Sequence, residues 1–155
     1  MKLEYMKLHS AAQVPLRAHR TDAGLDLSID HDVSIAVRKR YRAGTGIAVA
    51  IPEGYVGYVN PRSGISYEQG LTVINAPGTL DPGYRGEVQV ALVNLGEHPI
   101  TLQAGQRVAQ LVLHPIATPQ LVEVQQFSVD GERGANGFGS TGTQHVASTG
   151  ERNEH

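Results

Sequence analysis

Between Asn75 and Glu87 the chain reads NAPGTLDPGYRGE, and Asn75, Asp81, Tyr84, Arg85 and Glu87 give these thirteen residues an unusual density of polar groups between two apolar runs. The side-chain amide of Asn75 sets a donor beside an acceptor, which complements the N–H and C=O on the edge of a uracil ring. Asp81-Pro82-Gly83 reads equally as a β-turn, with Asp at its first position and Pro at its second. A second candidate is Arg62-Ser63-Gly64, directly after Pro61. A serine opening a short helix leaves backbone N–H groups free to meet an anion, and Arg62 adds charge; an ordinary N-cap after a proline turn accounts for the same residues. A third is Asp26 in AGLDLS, where a carboxylate interrupts an apolar run. It reads as an edge-strand or turn aspartate, or as a water-mediated contact to Mg²⁺, an ion that keeps most of its waters when a triphosphate supplies other oxygens.

A fourth stretch, GERGANGFGSTG from Gly131 to Gly142, is too rich in glycine and small hydroxyls for a packed core. Its Gly137 to Gly142 portion matches the G-x-G-x-x-G dinucleotide fingerprint. That fingerprint requires a following helix and an acidic residue about 20 positions on, whereas TQHVASTGERNEH, the thirteen remaining residues, has no apolar helical period. The Rossmann reading therefore fails on context.

Composition narrows the chemistry. A chain of 155 residues suggests one domain with its own core. A formal net charge of −2 gives no broad basic field for nucleic-acid backbone. There is no cysteine, so disulfides, thiolate nucleophiles and Cys-bound zinc are excluded and a reducing compartment is suited. The seven histidines show neither H-x-x-x-H nor H-x-H spacing, which leaves a zinc site poorly supported. No apolar run approaches the length of a membrane span, and MKLEYMKLHS carries acid within its apolar stretch, unlike a signal peptide. The expectation is a cytoplasmic protein with no membrane and no nucleic-acid partner.

The elements that must position these groups are short strands. LDLSI, VSIAV, GIAVAI, YVGYV, LTVI, EVQVALVNL, RVAQLVL and LVEVQQF recur with short period, separated by turn-forming clusters such as IPEGY, NAPGTLDPGY and LGEHP. Ser63 to Gly70, SGISYEQG, is the one segment with the look of a short helix. The pattern predicts an all-β antiparallel sandwich or barrel. After Phe127 the apolar period is lost, and the remainder reads as a flexible arm.

Taken in order, AGLDLS, PRSGIS, NAPGTLDPGYRGE, RVAQLVL and RGANGFGSTG resemble the five motifs of trimeric dUTPases, from about Ala23 to Gly142. Leu80 stands where isoleucine is common, and Ile65-Ser66 follow the Arg-Ser-Gly core, departures that remove no chemical group. The resemblance implies a jelly-roll-like β barrel over residues 1–130, a glycine-rich active-site arm over 131–142 and a disordered tail over 143–155. It implies a homotrimer with active sites shared among three chains, and hydrolysis of dUTP to dUMP and pyrophosphate, which keeps uracil out of DNA and supplies dUMP for thymidylate synthesis. Asp81 would orient and activate the water attacking the α-phosphorus. Carboxylates are weak bases at neutral pH, so this work is mainly positioning. Asn75 and Gly78 would hold the uracil, and Tyr84 would pack under the deoxyribose. Arg62, Ser63, Gly64 and Gln110 would hold the phosphates, and Asp26 would touch Mg²⁺ through water. Phe138 would cover the base while Arg133, Gly139, Ser140 and Thr141 grip the phosphates. The closest alternative is a dCTP deaminase of the same fold, whose catalytic glutamate lies about ten residues past the aspartate, where this chain has Ala91. A regulatory protein on a dUTPase scaffold is the other, disfavoured because every chemical motif is intact.

Overall fold

The computed structural model describes residues 1–128. The chain divides after Pro119, and the fold below is that of Met1–Pro119. Residues 120–128, the described part of the second unit, form neither strand nor helix. In order, the elements are β1 (Glu4–Lys7), β2 (Leu25–Ser28), β3 (Val33–Ile35), β4 (Arg40–Ala50), β5 (Tyr55–Pro61), α1 (Ser63–Gln69), β6 (Leu71–Val73), β7 (Gly78–Leu80), β8 (Glu87–Asn94), β9 (Ile100–Leu102) and β10 (Arg107–Pro115). The class is all-β, as expected. Three antiparallel sheets carry it, ordered β1-β4-β8-β6, β2-β10-β5-β7 and β3-β9.

Period-two burial explains why these segments are strands. In β8, Val88, Val90 and Leu92 are fully buried while Glu87, Gln89 and Ala91 turn outward. Each such Val or Leu contributes at most about 1.5–3 kcal/mol by leaving water. Leu27, Ile29, Ile35, Ile47, Leu102 and Leu111 join the same core. Asn94 is the polar exception. Fully buried, it donates through Nδ2 to the carbonyls of Ile35 (3.0 Å) and His98 (2.8 Å) and accepts from Gly96 N (2.9 Å). Its amide thereby joins β3, β8 and the turn before β9 with no buried group left unpaired.

The β4–β8 ladder shifts register between Gly44 and Ala48. Glu87 closes this bulge: its Oε1 accepts from Thr45 N (3.0 Å) and Gly46 N (2.8 Å), and Gln89 Nε2 donates to its Oε2 (3.0 Å). Gly46 sits at φ +64, and a Cβ there would fall 2.4 Å from the His9 ring, so glycine is required on both counts. Beside the bulge, burial pushes the Asp30 carboxyl upward, but hydrogen bonds with His9 and His31 outweigh it and hold the group below its ordinary value.

Two local expectations change. LVEVQQF forms no strand, and Leu121, Val122, Val124 and Phe127 are all largely exposed. Alternating apolar residues make a strand only when a neighbouring strand pairs them, and none does so among the described residues. The helix begins at Ser63 as expected, yet the residue capping it is Arg62, in extended conformation and making no side-chain cap bond. Serine one position too late cannot serve as the N-cap, and the Arg62 guanidinium is drawn to a carboxylate instead. Three strands lacked a clear sequence signal: β1, exposed throughout, and the three-residue β7 and β9. No helix among the described residues is long and apolar enough to cross a membrane.

Candidate active site

The predicted residues gather in two places. The first is built by β2, β10 and the end of β5. In register, Gln110 lies opposite Asp26 on one side and Asn60 on the other, so a single row across three strands sets Asp26 beside Gln110 and one residue-pair from Arg62. Asp26 accepts from Arg62 Nε through Oδ1 (3.0 Å) and from Arg107 Nη1 through Oδ2 (2.9 Å). Arg62 Nη1 also donates to the Arg107 carbonyl (3.3 Å). Gln110 Nε2 donates to Pro61 O (3.0 Å), and its carbonyl end lies over Gly24, where any Cβ would fall 2.1 Å away. Ser63 and Gly64 follow at the start of α1, both exposed. Helix-leading N–H groups have no intrahelical partner, so this corner offers two guanidinium groups and backbone donors to an anion.

A cavity of about 280 Å³ opens here, lined by Asp22, Gly24, Asp26 and Gln110 with Ala18 and Ala23. Its oxygen donors suit a hard cation that keeps its water. Both Asp26 oxygens already accept from guanidinium groups, and no cluster of three or more His, Asp or Glu fit for an ion occurs among the described residues. The set therefore fits an Mg²⁺ held through water and shared with a phosphate ligand, and does not fit an all-protein cage.

The second place is the turn following β7, where the chain passes from one sheet to another. Tyr84 N donates to Asp81 O (3.0 Å), so the predicted β-turn forms and leaves the Asp81 side chain exposed. Tyr84 OH donates to Glu87 O (2.8 Å), and its ring lies across Gly86, where a Cβ would come within 2.5 Å of the phenol oxygen. Arg85, also in the turn, donates to Tyr84 O (2.8 Å) and Pro82 O. Turn and phenol bond together fix the ring. Gly78 is buried, and a Cβ there would meet Asn75 Nδ2 at 3.2 Å, so its missing side chain gives the Asn75 amide its seat. Asp81 and Tyr84 line a cavity of about 310 Å³ with Arg42, Thr79, Gln89 and Ala91 among its walls. A larger hollow of about 540 Å³ against β1 and β4 holds none of the predicted site residues.

One chain does not bring the two places together. Leu80 pairs with Gly57 near the start of β5, whereas Arg62 follows Pro61 at its end. Asp81, one residue beyond Leu80, is thus displaced from Arg62 by six strand positions, on the order of 20 Å. Arg107, Thr79 and Gln89 belong to these surroundings; Arg107 opens RVAQLVL and Thr79 lies within NAPGTLDPGYRGE, yet neither received a role from the sequence, and Gln89 lies outside the motifs. Arg133, Phe138, Gly139, Ser140 and Thr141 lie outside the described residues.

With this geometry in view, known proteins are informative. The dUTPase family model matches residues 10–142. A deoxyuridine 5′-triphosphate nucleotidohydrolase of Mycobacterium sp. (strain JLS) is 47% identical over 145 residues, covering 90% of this chain and 94% of its own. That of Cutibacterium acnes is 48% identical over 130 residues, covering 83% and 85%. Among solved structures, a Staphylococcus bacteriophage 80alpha dUTPase with dUpNHpp superposes with a TM-score of 0.87 at 32% identity, covering 92% of this chain and 99% of that one. A dUTPase from phage phi11 of S. aureus, solved for its coordination of a structural Mg(II) ion, gives 0.78 at 30% identity, covering 83% of this chain and 100% of that one. With the family model spanning most of the chain and relatives this similar along nearly their full length, the chain belongs to the dUTPase family.

Proposed function

We propose that the protein hydrolyses dUTP to dUMP and pyrophosphate in a homotrimer whose active sites are completed between chains. The observation that carries this reading is the separation along β5. The Asp81 turn and the Arg62 corner stand on the order of 20 Å apart in one chain, farther than the α- to γ-phosphorus span of one nucleotide. A second copy would bring its Arg62 corner to the first copy's Asp81 turn. Such a head-to-tail contact between different surfaces closes naturally into a ring.

In that site Asp81 orients the attacking water and accepts its proton, and the turn it opens fixes the backbone from which the carboxylate projects. Arg62 and the backbone at Ser63 and Gly64 bind the phosphate chain, with Gln110 beside them. Bound Mg²⁺ would neutralise charge on phosphate oxygens, and Asp26, with Asp22 and the Gln110 amide oxygen in the same cavity, would hold it through water. Asn75, seated on Gly78, reads the uracil edge, and Tyr84 fills the space beside the sugar. The arm residues Arg133, Phe138, Gly139, Ser140 and Thr141 cover the nucleotide. Residues 1–130 serve as the folded core and 131–142 as the arm, with 143–155 beyond it. The deaminase alternative finds no support at the Asp81 cavity. Ala91 forms part of its wall without a proton-shuttling group, and Glu87 is occupied at the bulge.

Incubation with dUTP and Mg²⁺ is expected to release pyrophosphate from a species of three times the chain mass by light scattering. No pyrophosphate, or full activity in a monomer, would sink the reading. The same assay with UTP and dCTP tests Tyr84. Its ring is fixed at both the turn and the phenol, and a 2′-hydroxyl would meet it. Tyr84→Ala is therefore expected to raise UTP use relative to dUTP by about tenfold or more while dCTP stays rejected. An unchanged dUTP to UTP preference would remove Tyr84 from this role.

A further inference from the structure

We propose that Arg107 is a positioning residue for the phosphate-binding corner: by sharing Asp26 with Arg62, it keeps the Arg62 guanidinium from closing on Asp26 and so free for the nucleotide, and leaves the Arg62–Asp26–Arg107 cluster with one positive charge in excess. The inference rests on the function proposed above and goes beyond it, because Arg107, though it opens RVAQLVL, is given no role there.

A lone arginine beside a carboxylate tends to close on it through two nitrogens, a fork that satisfies both groups and leaves a neutral pair. Arg62 does not do so. It gives Asp26 one bond, from Nε to Oδ1 at 3.0 Å, because Oδ2 is taken by Arg107 Nη1 at 2.9 Å. The Arg62 group is then steadied from a second direction by donating Nη1 to the Arg107 carbonyl at 3.3 Å. Arg107 therefore acts twice, through its side chain on Asp26 and through its backbone on Arg62. Two guanidinium groups over one carboxylate carry a net charge of +1. The Asp26 side chain is only 14% exposed, so water screens this arrangement less than it would a surface pair. A corner of this charge suits a triphosphate better than a monophosphate.

Replacing the side chain leaves the Arg107 carbonyl in place and so isolates the first effect. In Arg107→Gln, Oδ2 is released, Arg62 can close on Asp26 as a neutral fork, and the excess charge is lost. The expected result in the full-length chain is a rise of about tenfold in the KM for dUTP with kcat within about threefold of wild type, the size of one charge-assisted contact. Calorimetric binding of dUMP, which lacks the β- and γ-phosphates, should weaken by less than about twofold. Arg107→Lys keeps a cation able to reach Oδ2 and should recover most of the dUTP affinity. A dUTP KM within twofold of wild type in Arg107→Gln would overturn the proposal. Equal weakening of dUMP and dUTP with no recovery in Arg107→Lys would overturn it too, and mark Arg107 as a fold residue. A wild-type chain that binds no dUTP would instead remove the function on which the proposal stands.

Discussion

Asp81→Asn is expected to lower dUTP turnover by about a thousandfold, the usual order for losing a positioned general base, while dUTP affinity stays within about threefold. The amide keeps the size and shape of the carboxylate, and Asp81 enters the turn through its backbone carbonyl, bonded to Tyr84 N at 3.0 Å, which the change leaves intact. Asn75, Tyr84 and the Arg62 corner are likewise untouched, so ground-state contacts survive and the loss falls on kcat. Steady-state rates beside calorimetry with a non-hydrolysable dUTP analogue separate the two effects. Normal turnover would reduce Asp81 to a turn residue. A parallel loss of binding would show that its charge had been shaping the pocket.

The second large effect is expected from ending the chain at residue 130. The buried cluster is built from residues between Ala12 and Leu111, so the truncated protein is expected to fold and melt as the full chain does. Its turnover should nevertheless fall by about a hundredfold, since on the proposed reading Arg133, Ser140 and Thr141 would supply phosphate donors and Phe138 would cover the base. Phe138→Ala alone should give a milder loss. Circular dichroism and pyrophosphate release together decide it: an unfolded product would make the arm structural, and an undiminished rate would leave it no part in closure.

How much of this was legible in the sequence depends on what each residue answers to. Period-two burial announces itself, and VQVAL in β8 is readable because alternate residues sit at 0% exposure. β1 escaped because all four of its residues are exposed, leaving nothing to alternate. LVEVQQF misled in the opposite way, carrying the alternation without a pairing strand. At the site, Asp81, Tyr84 and Asn75 stood out because polar groups crowd a turn. Glu87, in the same stretch, turns out to hold the β4 bulge, a role set by backbone donors 41 and 42 residues away. Arg107 stood in the RVAQLVL motif, but its role was hidden for a related reason. As the first residue of a strand it looks ordinary, and its partner Asp26 lies 81 positions earlier, brought near only by the β2–β10 register.

The placement of both functional clusters at opposite ends of β5 has a genetic consequence. Were a site to draw its Asp81 turn from one polypeptide and its phosphate corner from another, as proposed, activity would cease to be an attribute of the individual gene product. An Asp81→Asn chain would retain a sound corner, and an Arg62→Ala chain a sound turn, so two alleles each inert alone are expected to complement when their products co-assemble. Random mixing of the two chains in equal amounts would reconstitute about a quarter of the sites, whereas uniting both lesions in one polypeptide and mixing it with wild type would leave that same quarter as the wild-type remainder. Were β5 to divide the site in this way, two singly damaged chains mixed together would work as well as wild type diluted with a doubly damaged chain, and only each damaged chain by itself would be inert.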